Sequence, residues 1–145
     1  MTAPKPHRLV YLLSVAQRRV QRALAASSVD AVSPAQAGLL FVLGKQDGAL
    51  MGEAGAALDL GPAGISGLVD RVAAAGLVER RADPGDARAS RIFLTAKGRK
   101  AQVRAKDVAH ETNARLMEGF SAQEIDIVAR WLTSIQSKFP KGDGE

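Results

Sequence analysis

Arg88 and Arg91 lie within the stretch 83–95, which opens with Asp83-Pro84-Gly85-Asp86 and closes with Ile92-Phe93-Leu94-Thr95. A guanidinium carried on a projecting loop is suited to bidentate contact with phosphate oxygens or to entry into a narrow nucleic-acid groove. The residues around these arginines favour such a loop. Pro84 presets φ for a turn, Gly85 tolerates positive φ, and the Asp83 and Asp86 carboxylates can accept bonds from nearby backbone N–H groups. With the apolar pair Leu77-Val78 on one side and 92–94 on the other, the segment predicts a β-hairpin with arginines near its tip.

The charge distribution agrees with that chemistry. The 145-residue chain has a formal net charge of +5. Between positions 71 and 104, Arg71, Arg80, Arg81, Arg88, Arg91, Lys97, Arg99, Lys100 and Arg104 stand against only Glu79, Asp83 and Asp86. The excess therefore surrounds the hairpin and the rest of the chain is close to neutral. A basic face is often merely solvated, but one centred on a projecting loop points to an anionic partner, and double-stranded DNA is the foremost candidate.

Other chemistries find little support. There is no cysteine, which excludes a disulfide scaffold, a thiolate peroxide sensor and Cys-ligated metal. His7 and His110, the two histidines, have no partner at metal-ligand spacing. Gly44-Lys45 lacks the flanking Gly and Ser or Thr of a phosphate-binding loop, and no third residue completes a triad around His110. The expectation is a protein that is not an enzyme and carries no cofactor or metal. No run of about 18 apolar residues predicts a membrane span, and the Leu9-Val10-Tyr11-Leu12-Leu13 cluster is too short for a leader, so a cytoplasmic protein is expected.

Stepping outward from the hairpin, the periodicity predicts helices on both sides. Leu9, Leu12, Leu13, Ala16, Val20 and Leu24 mark a first helix over about 5–27. Ser33-Pro34 is an N-cap followed by a helix-opening proline, and this second helix should stop near Gly44 or Gly48. A short helix over 50–58 follows, weakened by Gly52 and Gly55 and preceded by no capping side chain. After a turn at Asp59-Leu60-Gly61, Pro62 opens a helix carrying Ile65, Leu68, Val69 and Val72 on one face and ending at Gly76. Helix, turn, helix and hairpin is the winged helix-turn-helix order.

Beyond the hairpin, Thr95 caps a long helix to about residue 118, and Ser121 with Glu124 forms a capping box for a last helix presenting Ile125, Val128, Trp131, Leu132 and Ile135. Pro140 and a polar tail, 141–145, end it. The fold class is thus mainly α with a small β-hairpin wing (α+β): one unit over 1–145, with a winged helix-turn-helix lobe at about 33–95. The helices at 5–27 and 96–138 fall outside that lobe, and their apolar stripes predict a homodimer. A twofold dimer would set two recognition helices about 34 Å apart on a pseudo-palindromic operator.

Four separated segments carry a family resemblance: Ile65-Ser66-Gly67-Leu68-Val69-Asp70-Arg71, Ala75-Gly76-Leu77-Val78-Glu79-Arg80, Asp83-Pro84-Gly85-Asp86-Ala87-Arg88 and Leu94-Thr95-Ala96-Lys97-Gly98-Arg99. Together, in this order and spacing, they resemble the MarR family of transcriptional regulators. The resemblance implies a homodimeric DNA-binding regulator, usually a repressor released by a small effector. It makes 62–75 the recognition helix and Arg88 the wing arginine that enters the minor groove. Asp70 then matches the acid that pairs with that arginine, and Asp86 the acid that shapes the wing tip, with Asp83 beside it.

Base reading falls to the exposed face of the recognition helix, Ala63, Gly64, Ser66 and Gly67, with Arg71 and Arg91 on phosphate or flank. These residues are small, and no Asn, Gln or Arg opens the helix for bidentate base contact. Wing shape readout and backbone contacts are therefore expected to dominate. The chain departs from the family pattern at Ala54-Gly55, where a Leu-Ala pair is usual, and at Gly61, where a capping Ser or Thr often sits. Those departures leave open two alternatives: an architectural or weakly specific DNA binder, or a ligand or protein-interaction module with impaired DNA binding. The effector is unknown; Tyr11 and its neighbours on the first helix are candidates for lining its pocket.

Overall fold

The computed structural model describes residues 7–27 and 32–141. The first helix, α1, runs Leu9–Ser27; its expected start at Lys5 lies outside the described residues, as does most of the polar tail. Helix α2, Pro34–Lys45, opens on a reciprocal cap: the Gln36 N–H donates to Ser33 Oγ at 3.2 Å and the Ser33 N–H to Gln36 Oε1 at 3.3 Å. Its Leu39, Leu40 and Leu43 are fully buried and form the centre of the core.

Leu50, expected to open the next helix, departs from expectation together with Ala49 before it. They form a short strand, β1 (Ala49–Leu50), rather than the start of the next helix. Gly48 has φ 83° and donates its N–H to the Ile92 carbonyl at 2.9 Å, which turns the chain into register with the hairpin before any helix can begin. Helix α3 is consequently short, Met51–Ala57. Its missing N-cap side chain is partly replaced by Glu53, whose carboxylate accepts from the Leu50 N–H at 3.1 Å and from Gln46 Nε2 at 2.7 Å.

The departure at Ala54-Gly55 has a packing reason. Both residues are buried, and a Cβ on Gly55 would stand 3.0 Å from the Leu60 carbonyl oxygen and 3.4 Å from Ile65. Glycine thus lets α3 approach the turn and α4 (Pro62–Ala74) closely. The turn reverses at Asp59, whose φ is 57°, with the Leu60 N–H bonded to the Gly55 carbonyl at 2.8 Å and the Asp59 N–H to that of Ala56 at 3.2 Å. The same closure ends α4 at Gly76, φ 78°, where the N–H groups of Leu77 and Gly76 bond the carbonyls of Val72 and Ala73.

Strands β2 (Val78–Asp83) and β3 (Asp86–Leu94) form the hairpin, and with β1 they make a three-stranded antiparallel sheet in the order β1-β3-β2. Buried Val78, Ile92 and Leu94 lay one face of it on α2 and α4. Thr95 then caps α5 (Ala96–Met117), accepting from the Gly98 N–H at 3.0 Å and donating to the Gly76 carbonyl at 2.6 Å. Gly98 is required there, because a Cβ would fall 1.9 Å from the Leu77 carbonyl oxygen. Helix α6, Ala122–Lys138, starts on the expected box: Ser121 Oγ accepts from the Glu124 N–H at 3.1 Å and Glu124 Oε1 from the Ser121 N–H at 2.9 Å. Mainly helical with one small sheet, the chain has the winged-helix architecture. Among the described residues no helix is long and apolar enough to cross a membrane.

Candidate nucleic-acid interface

Helix α4 is pinned by Ile65, Leu68, Val69 and Val72, all at 3% exposure or less. The opposite face is thereby turned outward. Ala63, Gly64, Asp70 and Arg71 are exposed, and Ser66 and Gly67 are half-buried. The helix begins at Gly61, which offers no capping side chain, and Pro62. A Cβ on Gly67 would lie 3.5 Å from Arg71 Nη1, so the Arg71 guanidinium folds back along the gap that glycine leaves. The surface is smooth, with one cation lying across it.

The hairpin extends beside this helix. Its ladder runs regularly from Val78↔Leu94 to Ala82↔Ser90, then shifts so that Asp83 pairs with Asp86. Ala87, Arg88 and Ala89 therefore have no partner on β2 and form an extended bulge at the wing tip. The turn at Pro84 and Gly85 forms without using the positive φ that glycine tolerates. Asp86 Oδ1 accepts from the Arg88 N–H at 3.0 Å, fixing the tip from below. The Arg88 side chain is exposed and, among the described residues, its guanidinium has no partner.

Arg91 is placed differently. Its Nε donates to Asp83 Oδ1 at 2.6 Å and its Nη1 to the Gly48 carbonyl at 2.9 Å, so one donor ties β3 to the end of β2 and the other ties it to the turn before β1. The Arg91 guanidinium holds the Asp83 carboxyl below the usual aspartate range. Asp83 is thus a brace at the turn end of the wing, and Arg91, expected as a phosphate or flank contact, is its partner.

Asp70 also differs from the pairing the resemblance implied. It is bonded to Arg80 rather than Arg88: Arg80 Nη2 lies 2.7 Å from Asp70 Oδ1, 3.1 Å from the Ser66 carbonyl and 3.4 Å from Ser66 Oγ. The reason is proximity along the strand. Arg80 follows buried Val78 by two residues and so shares its side of β2, facing α4, while Arg88 sits on the bulge farther out. Sequence reasoning did not single out Arg80, although the period of two from Val78 was a signal for it. Arg81 lies over the Phe93 ring, 4.5 Å from its centroid, and pairs with Glu79.

These pairings sort the basic excess. Arg80, Arg81, Arg91 and Arg99 are ion-paired, the last with Asp47 at 2.9 Å, and Lys97 caps α4 through the Ala75 carbonyl at 2.9 Å. Arg71, Arg88 and Lys100 form no ion pair among the described residues. The charge available to an anionic partner is therefore concentrated on α4, the wing tip and the start of α5.

A separate apolar cavity of about 90 Å³ lies away from this face. Leu24 of α1, Phe41 of α2 and Ala105 and Val108 of α5 line it, and Arg104 is its one charged wall residue. Tyr11 does not contribute; it is exposed under the Arg8 guanidinium, 4.6 Å from the ring centroid. No group of three or more His, Cys, Asp or Glu suited to a metal occurs among the described residues, and His110 is exposed.

A helix-turn-helix followed by a basic wing, hung on long outer helices, defines the class of winged-helix DNA-binding regulators. The comparisons give the family. A MarR family model matches residues 32–89. The transcriptional repressor CouR, solved bound to a 23-mer DNA duplex, is 30% identical, with 88% of this chain and 91% of that one covered and a TM-score of 0.78. A MarR-family regulator from Rhodococcus sp. RHA1 is 28% identical over 92% and 94% of the two chains, with a TM-score of 0.74. The PcaV regulator from Streptomyces coelicolor, solved with its natural ligand, shares the fold at 20% identity, 94% and 98% coverage and a TM-score of 0.85. A search of curated proteins found no match. The chain belongs to the MarR family of DNA-binding transcriptional regulators.

Proposed function

We propose that the chain is a homodimeric, operator-specific repressor that acts in the cytoplasm and is released from DNA by a small molecule. The observation that carries this reading is the pairing of a smooth helix face with an uncommitted Arg88 at the tip of the wing. Arg88 enters the minor groove, where narrow A·T-rich tracts deepen the negative potential. Ala63, Gly64, Ser66 and Gly67 bring the α4 backbone close to the major groove, and Arg71 reaches phosphate or a base edge. Asp83 and Asp86 hold the wing. The lobe at 33–95 and the helices at 5–27 and 96–138 act as one unit, with the exposed apolar stripes of α1, α5 and α6 buried against a second copy.

The cavity between α1, α2 and α5 is the candidate effector site. Its apolar walls suit a small aromatic ligand. At about 90 Å³ it is smaller than the roughly 150 Å³ that admits benzene, so a ligand would have to part the helices joining the lobe to the outer helices. Such a displacement changes the spacing of two recognition helices, which is how occupancy would weaken operator binding.

A mobility-shift assay on the region upstream of the protein's own coding sequence, against a scrambled duplex across a salt series, tests the reading. Specific retardation is expected. Arg88→Ala should weaken it by about 1–3 kcal/mol, on the order of 5- to 150-fold, while sedimentation still reports a dimer. Equal affinity for both duplexes with a steep salt slope would instead identify a weakly specific architectural binder, and no binding to either would leave an interaction module.

A further inference from the structure

Arg80 is the most heavily engaged guanidinium on the α4 side of the sheet. It joins three acceptors belonging to two residues of the recognition helix: the Asp70 carboxylate, the Ser66 carbonyl and the Ser66 hydroxyl. Asp70 stands on the outward face of α4 beside Arg71, with two-thirds of its side chain exposed. Unpaired, a carboxylate in that position would repel the phosphates that Arg71 and Arg88 attract.

We propose that Arg80 is a positioning and charge-masking residue for DNA recognition: it neutralises Asp70 and fixes α4 against the wing without itself touching DNA. This inference rests on the operator-binding reading above. Three features support it. The 2.7 Å contact places the guanidinium beside the acid that most directly opposes phosphate. The bond to the Ser66 carbonyl ties β2 to the middle of α4, so helix and wing would be presented in one orientation. The approach to Ser66 Oγ comes from a donor, which leaves the hydroxyl proton available for an acceptor on DNA. Only about a third of the Arg80 side chain is exposed, consistent with a residue directed into the protein rather than at a ligand.

Charge masking makes a rescue prediction that a direct phosphate contact does not. Arg80→Ala should lower affinity for the upstream duplex roughly tenfold, because Asp70 becomes an uncompensated negative charge at the interface. Asp70→Asn in the same chain removes that charge and should return affinity to within about threefold of the wild type. The slope of log affinity against log salt should be the same for the wild type and the double variant. Arg80→Gln, which keeps the stem and an amide donor but not the charge, is carried in parallel and should also be rescued by Asp70→Asn, so a poorly folded alanine variant does not decide the result. Circular dichroism and sedimentation verify that each variant is folded and dimeric. A double variant as weak as Arg80→Ala, or a salt slope reduced by about 0.9, would overturn the proposal by making Arg80 a phosphate contact. Wild-type protein that fails to distinguish the upstream duplex from the scrambled one would overturn the operator reading, and this inference with it.

Discussion

The winged-helix lobe and the outer helices differ in how fully each closes its own apolar surface. The lobe buries Leu39, Leu40, Leu43, Leu68, Val69, Val72 and Ile92 at 2% exposure or less. Helices α1 and α6 have no buried residue, and α5 buries only Gly98 and Ala101, in its first two turns beside the lobe. Yet Leu12 is 54% exposed, Leu116 54% and Ile127 57%, while Leu9, Leu13, Val128 and Trp131 border an open apolar groove between α1, α5 and α6. A periodic apolar stripe therefore means different things in the two regions. In the lobe it marks a core completed within one chain; outside, it marks a surface still to be covered.

The junction between the regions is where the largest effect is expected. Gly98 lets α5 start against the Leu77 carbonyl, and a methyl group at 1.9 Å from that backbone oxygen cannot be accommodated by a rotamer change. Gly98→Ala should cost about 3 kcal/mol or more and lower the thermal midpoint by several degrees, read by circular dichroism. A variant of native stability would mean that α5 leaves the lobe along a different path and that the two regions are less rigidly joined than the contrast requires.

A smaller, more selective effect should come from the outer stripe. Leu12→Glu places a charge on the groove-facing side of α1, more than half exposed in the single chain. If a second copy covers this face, sedimentation should shift from dimer toward monomer and operator binding should fall, because one lobe cannot span two half-sites. Amide protection across α2 and α4 should persist. A variant that stays dimeric would place the dimer contact elsewhere and make the exposed stripe a different kind of surface.

The same contrast explains what the sequence revealed. Local chemistry was legible: Ser33, Thr95 and Ser121 cap the helices expected of them, Gly76 closes α4 with positive φ, and the hairpin lies where the Asp-Pro-Gly-Asp turn and its apolar flanks put it. Features set by distant approaches were not. The tight fit at Gly55 comes from the Leu60 carbonyl, and the need for glycine at 98 from that of Leu77. The β1 strand exists because Ala49 and Leu50 pair with residues more than forty positions later. In the site, Arg88 and the Asp86 cap are local and were anticipated as a unit, whereas Asp70 found Arg80 through packing of the sheet on α4, and Arg91 found Asp83 and Gly48 through the registers of β3 with β2 and β1. Residue type announced the chemistry, but tertiary placement chose the partner.

The smallest expected effect compares acid sensitivity in the two regions. Asp83 is held below its usual range first by its hydrogen bond to Arg91, and Glu53 by its bonds to Gln46 and the Leu50 N–H. In α6, Glu124 is lowered by its cap bonds with Ser121. All three are depressed in the folded state, so each contributes stability that is present above its unfolded-state pKa and lost as pH falls through its folded-state value. From about pH 4 downward the lobe should loosen at the turn end of the wing, read as loss of the protected Arg91 Nε–H signal, while α6 frays at its start. Asp83→Asn should remove the acid limb of the Arg91 signal and leave that of the Ser121 and Glu124 amides unchanged. If one substitution flattened both limbs, the lobe and the outer helices would be titrating as a single cooperative unit, and their separation would be one of burial without independence in stability.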